Sequence, residues 1–403
     1  MPANLSDVEM SAHEEILDPE QCSRVPIVLA TMLRLGSSNG VQTHVSEVRA
    51  YLNSVGAPSV IVNPFSWGKR LSIPVFGCRF LLSKSAGIAW YLHWHHAFLR
   101  HALRRHLSHV QEAVIYAQDP FSALAALEAR QNSRQRIVMV VHFHGSQADE
   151  WVWRGQIQRD GKVFSLIRDV ERKVIPQLDG IVFVSQSARQ ALSDWLGSPI
   201  GVPAMTIPNF ISFNPRTRTS VPTADLVTVG SLDAPKNHEF LFEVLARANR
   251  AGRRYSLDII GHGPRENHLV RYAKSLGLDG QVRFLGYRPN ARVLLPNYKV
   301  YVHAATVEAM GIALIEAMAA GLPILAGPVG GIPELFDHSF QSWAWPLEDA
   351  EGAAALLIDL LEDPRALIRA QAAGRNRFAR CFDAAVVGPE LYEFLRSASS
   401  ARL

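Results

Sequence analysis

Glu308 and Glu316 are the residues whose types and spacing most readily do chemistry. Glu308 stands in a polar loop, and Glu316 lies eight residues on, inside a largely apolar helix that starts near Gly311. Two turns of helix cover only about 11 Å, so both carboxylates can face one ligand. The first N–H groups of a helix lack partners within it and favour an anion such as phosphate. Carboxylates suit hydroxyl groups, for which an ionised oxygen is a strong acceptor. A phosphate-binding helix end flanked by two hydroxyl-binding carboxylates describes a site for a nucleotide joined to a sugar.

The surrounding elements must hold that arrangement. Residues 300–304 form an apolar strand that runs into the polar loop. Ile312, Leu314, Ile315, Met318 and Ala319 recur near helical spacing. Gly321 and Pro323 stop the helix. Residues 323–326 make a second short buried strand and 327–331 a Gly-rich loop, and Pro333 suits the first turn of another helix. In a parallel sheet both loops fall at the carboxyl ends of the strands, where such sheets bind ligands.

Glu308, Glu316, Ala317-Met318-Ala319, Gly321 and Pro323, followed by Gly330-Gly331 and Glu334, resemble the signature of the retaining GT-B glycosyltransferases of family 4 (glycosyl transferases group 1). The resemblance implies an α/β fold of two Rossmann-like domains facing a cleft. It implies transfer of a hexose from a UDP- or GDP-linked sugar to an acceptor hydroxyl, with no cofactor and no metal. Glu308 would contact the donor sugar and Glu316 the ribose hydroxyls. The acceptor would be a saccharide or a lipid-linked molecule, in polysaccharide or glycolipid assembly.

The 403 residues are too many for one core and suit two domains. Hydrophobic residues make up 48% of the chain, yet no run reads as a membrane span. Cys22, Cys78 and Cys381 are few and far apart, which fits a reducing compartment and argues against a disulfide framework or a zinc site. The first twenty residues are polar and acidic, unlike a signal peptide. A cytoplasmic location is expected, with a peripheral seat at the inner face of a membrane.

The second half of that expectation rests on charge distribution. The formal net charge is only +4, but residues 48–111 contain no Asp or Glu. They carry Arg49, Lys69, Arg70, Arg79, Lys84, Arg100, Arg104 and Arg105, interleaved with Trp67, Trp90, Tyr91 and Trp94. An anionic membrane surface attracts such a mixture. An ordinary helix that buries its aromatics is the competing reading. No nucleic-acid-binding motif accompanies the stretch, so nucleic acid is not an expected partner.

Residues 1–24 read as a flexible extension, 25–210 as the acceptor domain and 211–384 as the donor domain. Residues 385–403 would form a helix packing back on the first domain. Asn39-Gly40 stands between a strand and a helix, where the family has a Gly pair, and the Gly40 N–H would approach the donor phosphates. His142 and His144 end the strand 137–142. His144 directly precedes Gly145, as in the family, and is the catalytic candidate; metal binding by the two histidines is the disfavoured alternative.

In the donor domain Gly230, Ser231 and Lys236 follow the strand 226–230. The family usually has Arg where Ser231 stands, so one of two cationic phosphate contacts is missing. Lys236 keeps the other, and with the helix start at Met310, Gly311 and Ile312 it would stabilise the departing diphosphate. Gly261 opens a Gly-x-Gly-Pro turn, and 287–290 is the turn where the family holds the base. The sequence contains neither a Gly-x4-Gly-Lys-Ser/Thr phosphate loop nor an Asp-x-Asp metal pair. Two rivals share the scaffold: a nucleotide-sugar 2-epimerase, and a catalytically degenerate transferase acting as an assembly partner. The Ser231 departure is the only support for the latter.

Overall fold

Short strands alternate with helices along the chain, a pattern that folds into parallel sheets covered by helices on their faces. The computed structural model describes residues 25–34, 39–66, 75–213, 222–340 and 343–400. The first sheet contains β1 (Ile27–Ala30), β2 (Ser59–Val62), β3 (Ala113–Ala117), β4 (Gln135–Val141), β5 (Gly180–Phe183) and β6 (Ala204–Thr206). Its order is β2-β1-β3-β4-β5-β6. The second contains β7 (Ala224–Val229), β8 (Leu257–Ile260), β9 (Val282–Gly286), β10 (Tyr298–His303) and β11 (Ile324–Ala326), in the order β11-β10-β7-β8-β9. All pairings are parallel. Strands β1, β3 and β4 are buried throughout, which explains why they read as continuous apolar runs rather than alternating ones.

Strand order reverses between β1 and β3 in the first sheet, and between β7 and β10 in the second. Loops diverge at such switch points and open a crevice beyond the carboxyl ends of the strands. In the first sheet the crevice is bounded by α1 (Gly40–Ser54) and α3 (Pro120–Ala129). Asn39 starts α1 by accepting the Gln42 N–H at 2.9 Å, and Asp119 starts α3 by accepting those of Phe121 and Ser122. In the second sheet the crevice is bounded by the loop before α7 (His238–Arg250) and by α9 (Ile312–Ala319).

The chain crosses between the sheets at two adjacent points. Ile211 and Asp383 form a parallel bridge, with the Ile211 N–H bonded to the Phe382 carbonyl at 3.1 Å. The last helix, α13 (Ala384–Ser400), then lies against α1, β3 and β4 of the first sheet. Its Leu391 and Leu395 join Val114, Tyr116 and Val138 in one buried cluster. A proline at position 389 sits inside this helix. The expected extension at 1–24 and Trp67, Lys69 and Arg70 lie outside the described residues.

In the acid-free stretch the aromatic side chains of Trp90, Tyr91 and Trp94 are half-buried, while Arg49, Lys84, Arg104 and Arg105 are exposed. Helix α2 spans Lys84–Leu107. The Trp90 indole donates to the Val75 carbonyl at 2.8 Å, and Phe76 stacks on His95 with ring centroids 3.9 Å apart. Arg100 pairs with Glu128 at 2.9 Å. Leu81 and Leu82 remain outward, 87% and 41% exposed. Two helices went unread in the sequence: α4 (Gln147–Trp153), and α8 (Glu266–Ser275) after β8.

Candidate active site

The two sheets face each other across a cavity of about 1250 Å³. Gly40, Gly230, Ser231, Lys236, Gly261, Glu308, Met310, Gly311, Ile312 and Glu316 all line it. Local sequence explains why these loops meet. A Cβ on Gly261 would lie 1.8 Å from the Gly230 carbonyl oxygen, so only glycine lets the loops after β7 and β8 touch backbone to backbone. A Cβ on Gly330 would lie 1.9 Å from the Glu308 carbonyl oxygen, and the Gly331 N–H donates to that same oxygen at 3.1 Å. The Gly-Gly pair thus fixes the loop that carries Glu308.

The same loop is tied to the other sheet. Ser185, at the end of β5, donates its hydroxyl to the Ala309 carbonyl at 2.7 Å. Glu334 accepts the Gln186 and Ser187 N–H groups at 2.8 and 2.7 Å, at the start of α6 (Gln186–Leu196). A carboxylate at a helix N-terminus satisfies open donors and meets the positive end of the helix dipole. Glu334 therefore joins the two halves rather than lining the cavity.

Helix α9 begins at Ile312 after Gly311, whose φ of 80° turns the chain. A Cβ on Gly40 would lie 3.5 Å from the Ile312 side chain. The N-terminal ends of α1 and α9 thus approach each other from opposite sheets, and Gly40 and Ile312 both line the cavity. That geometry suits an anionic group held between the halves.

Lys236 and Glu308 form an ion pair, Nζ to Oε2 2.5 Å, with the Thr306 N–H bonded to the Pro235 carbonyl at 2.8 Å to hold the two loops together. The His303 Nε2, at the end of β10, lies 3.5 Å from the same Glu308 oxygen. Burial alone would raise the Glu308 carboxyl, but the Lys236 ammonium and His303 outweigh it and hold Glu308 well below the usual carboxylate range. Glu316 is the reverse case. Burial pushes it up to about 7, against the opposing charge of Arg292 and with a contribution from Glu47. One carboxylate is held ionised and the other sits at the edge of ionisation.

The structure separates the two histidines. Strand β4 ends at Val141, and Gly145, with φ of 80°, turns the loop that follows. Strand alternation therefore sets the direction of neither ring. His142 lines the cavity, bonded to Gln118 at 3.2 Å and edge-on to His44, with ring centroids 4.6 Å apart. Burial, with the neighbouring His44, holds His142 well below the usual imidazole value. His144, the candidate from sequence, points at the Ser187 hydroxyl at 3.2 Å and is not among the residues lining the cavity.

Tyr91 and Trp151 line the cavity on the side of the first sheet, and Tyr287, Arg288 and Asn290 line it beside the expected base turn. Glu47, Arg292 and His303 also reach the cavity and had not been singled out. No local motif marks them; each becomes visible only when distant strands are brought together. Among the described residues, no group of three His, Cys, Asp or Glu side chains could hold a metal ion.

Residues 38–215 match the model for Glycosyltransferase Family 4, and residues 215–377 match that for Glycosyl transferases group 1. Glycogen synthase of Mycobacterium tuberculosis is 26% identical over 313 residues, covering 73% of this chain and 72% of its own. The GDP-mannose-dependent alpha-(1-6)-phosphatidylinositol monomannoside mannosyltransferase of the same species is 25% identical over 302 residues, covering 70% and 74%. Among solved structures, HepE of Anabaena in complex with UDP-glucose superposes with a TM-score of 0.69 at 18% identity, over 93% of this chain and all of that one. The consecutive family matches, the two facing parallel sheets and these neighbours make the chain a glycosyltransferase of group 1 and family 4, with the GT-B fold.

Proposed function

We propose that the chain transfers a hexose from a UDP- or GDP-linked sugar to an acceptor hydroxyl, with retention at the anomeric carbon and without a metal ion. The carrying observation is the Lys236–Glu308 pair beside the start of α9, facing Gly40 across the cleft. As the bond from sugar to diphosphate breaks, negative charge gathers on the leaving phosphate. Lys236 and the helix N–H groups stabilise that charge in place, so no solvent must reorganise around it. The donor sugar then draws Lys236 toward phosphate while Glu308 orients its hydroxyls. Glu316 receives the ribose, and the turn at 287–290 flanks the base.

Ser231 supplies a hydroxyl where the family usually has a cation, so Lys236 carries a larger share of the phosphate charge here. A relative named for GDP-mannose and a neighbour holding UDP-glucose support either nucleotide. The acceptor enters from the side of Tyr91 and Trp151, whose rings suit the apolar faces of a sugar. Leu81 and Leu82 are next in the chain to Ser83 and Lys84 at the cleft, which supports a lipid-linked acceptor presented at an anionic surface. No helix among the described residues is long and apolar enough to cross a membrane.

The test is incubation of the purified chain with UDP- and GDP-hexoses and a lipid-phosphate or saccharide acceptor panel, in EDTA. Transfer with unchanged anomeric configuration, at a rate the chelator leaves intact, is expected. Transfer restored only by Mn²⁺ would refute the metal-free mechanism.

A further inference from the structure

Two charged side chains that line the cleft reach across it to each other. Glu47, on α1, is only 6% exposed. Its Oε1 lies 2.5 Å from Arg292 Nη1, in the segment after β9. Its Oε2 accepts the Ser212 N–H at 2.8 Å, one residue past the bridge where the chain crosses between sheets. Arg292 also lies over the Phe213 ring at 5.9 Å. One carboxylate thereby grips both the crossing point and the opposite face of the cleft. Glu316 lines the same cavity and, among the described residues, has no ion-pair partner within the 4 Å that joins the other pairs.

We infer that Glu47 is a positioning residue for the nucleotide: by holding Arg292 across the cleft, it keeps Arg292 off Glu316 and leaves Glu316 open to ribose hydroxyls. This rests on the donor reading above. Arg292 and Glu316 belong to the same half of the molecule, whereas Glu47 belongs to the other. A guanidinium bonded to a carboxylate occupies the lone pairs that hydroxyls need.

Glu47→Gln tests this, because the amide keeps the side chain's shape and an acceptor for Ser212 while removing the charge. In the nucleotide-free protein, carbon-13 NMR of the Glu316 carboxyl should show Glu47→Gln lowering its titration more in the parent than in an Arg292→Met background, where only the direct effect of the Glu47 charge is lost. Calorimetry should show the Kd for UDP or GDP rising roughly tenfold, within the usual range for coupled sites. In a Glu316→Gln background the same substitution should cost no further affinity, because Arg292 then has no carboxylate to cover. Glu47→Asp should recover part of the loss. Arg292→Met should move the Glu316 titration the other way. A Glu316 titration that Glu47→Gln lowers no more in the parent than in the Arg292→Met background, or an affinity loss as large without Glu316 as with it, overturns the inference. A parent protein that binds neither diphosphate, while the titration still shifts, keeps the Glu47–Arg292 clamp and removes the donor reading.

Discussion

On the donor face of the cleft, Lys236, Glu308 and the start of α9 come from the loops after β7 and β10, two adjacent strands of one sheet. On the opposite face Gly40, Tyr91, Gln118, His142 and Trp151 come from α1, α2, α4 and the ends of β3 and β4. The donor face is held by backbone packed on backbone, Gly261 on Gly230 and Gly330 on Glu308. The opposite face is held by side chains. His44 bonds Asn209 through Nδ1 at 2.9 Å and Tyr116 through Nε2 at 3.2 Å, and His142 leans on His44. Backbone contacts demand particular residues at fixed spacing, whereas a side-chain network can be built from many combinations.

The largest effect should fall on the donor face. Lys236→Ala should lower kcat roughly a hundred- to a thousandfold, the range for one preorganised donor, and strand Glu308 with His303 as its only close partner. A loss below tenfold in a folded variant would shift the charge stabilisation away from Lys236. Glu308→Gln should also act chiefly on turnover, by misplacing the sugar.

Glu316 sets a pH test of the same face. Its carboxyl is raised from an ordinary 4.5 to about 7 by burial, so folding favours its neutral form. Stability from this group is complete below about 4.5 and is lost as pH rises through 7. Melting temperatures should therefore shift in favour of Glu316→Gln, relative to the parent, between those limits. Ribose hydroxyls bond best to the ionised form, so donor affinity should climb from about pH 6 to 8 in the parent and stay flat in the variant. A parent profile as flat as the variant's would remove Glu316 from the ribose.

The smaller effects should fall on the acceptor face. His142→Ala should reduce turnover several-fold more than His144→Ala, with melting temperatures checked for both, since only the first ring lines the cavity. The reverse order would mean that the loop after β4 rearranges on binding and restores the role the sequence assigned to His144.

The contrast between the faces also explains what could be read from the chain alone. The elements around Glu308 and Glu316 were legible because each residue type answers a local demand: an apolar helix, a stop at Gly321, a Gly pair under the loop. Lys236 was picked out by its match to the family's Lys-Asn pattern, in a loop that follows the buried strand β7. The His144 assignment relied on a strand running through His142, and β4 stops one residue earlier. Glu47 and Arg292 stand 245 positions apart, so no window along the chain contains both. In the acid-free stretch the absence of carboxylates is visible in sequence, but Trp90 turning in to meet Val75 is a tertiary event.

A thermal-shift titration with UDP, GDP and their hexoses tests the central claim most directly. A ligand that binds only the folded chain, at a hundred times its dissociation constant, should add about 2.7 kcal/mol of stability. One nucleoside diphosphate series should raise the melting temperature of the parent, raise that of Glu316→Gln far less at equal concentration, and do so without added metal. No shift with any of these ligands, or an equal shift in both proteins, would contradict a nucleotide-sugar site at Glu308 and Glu316.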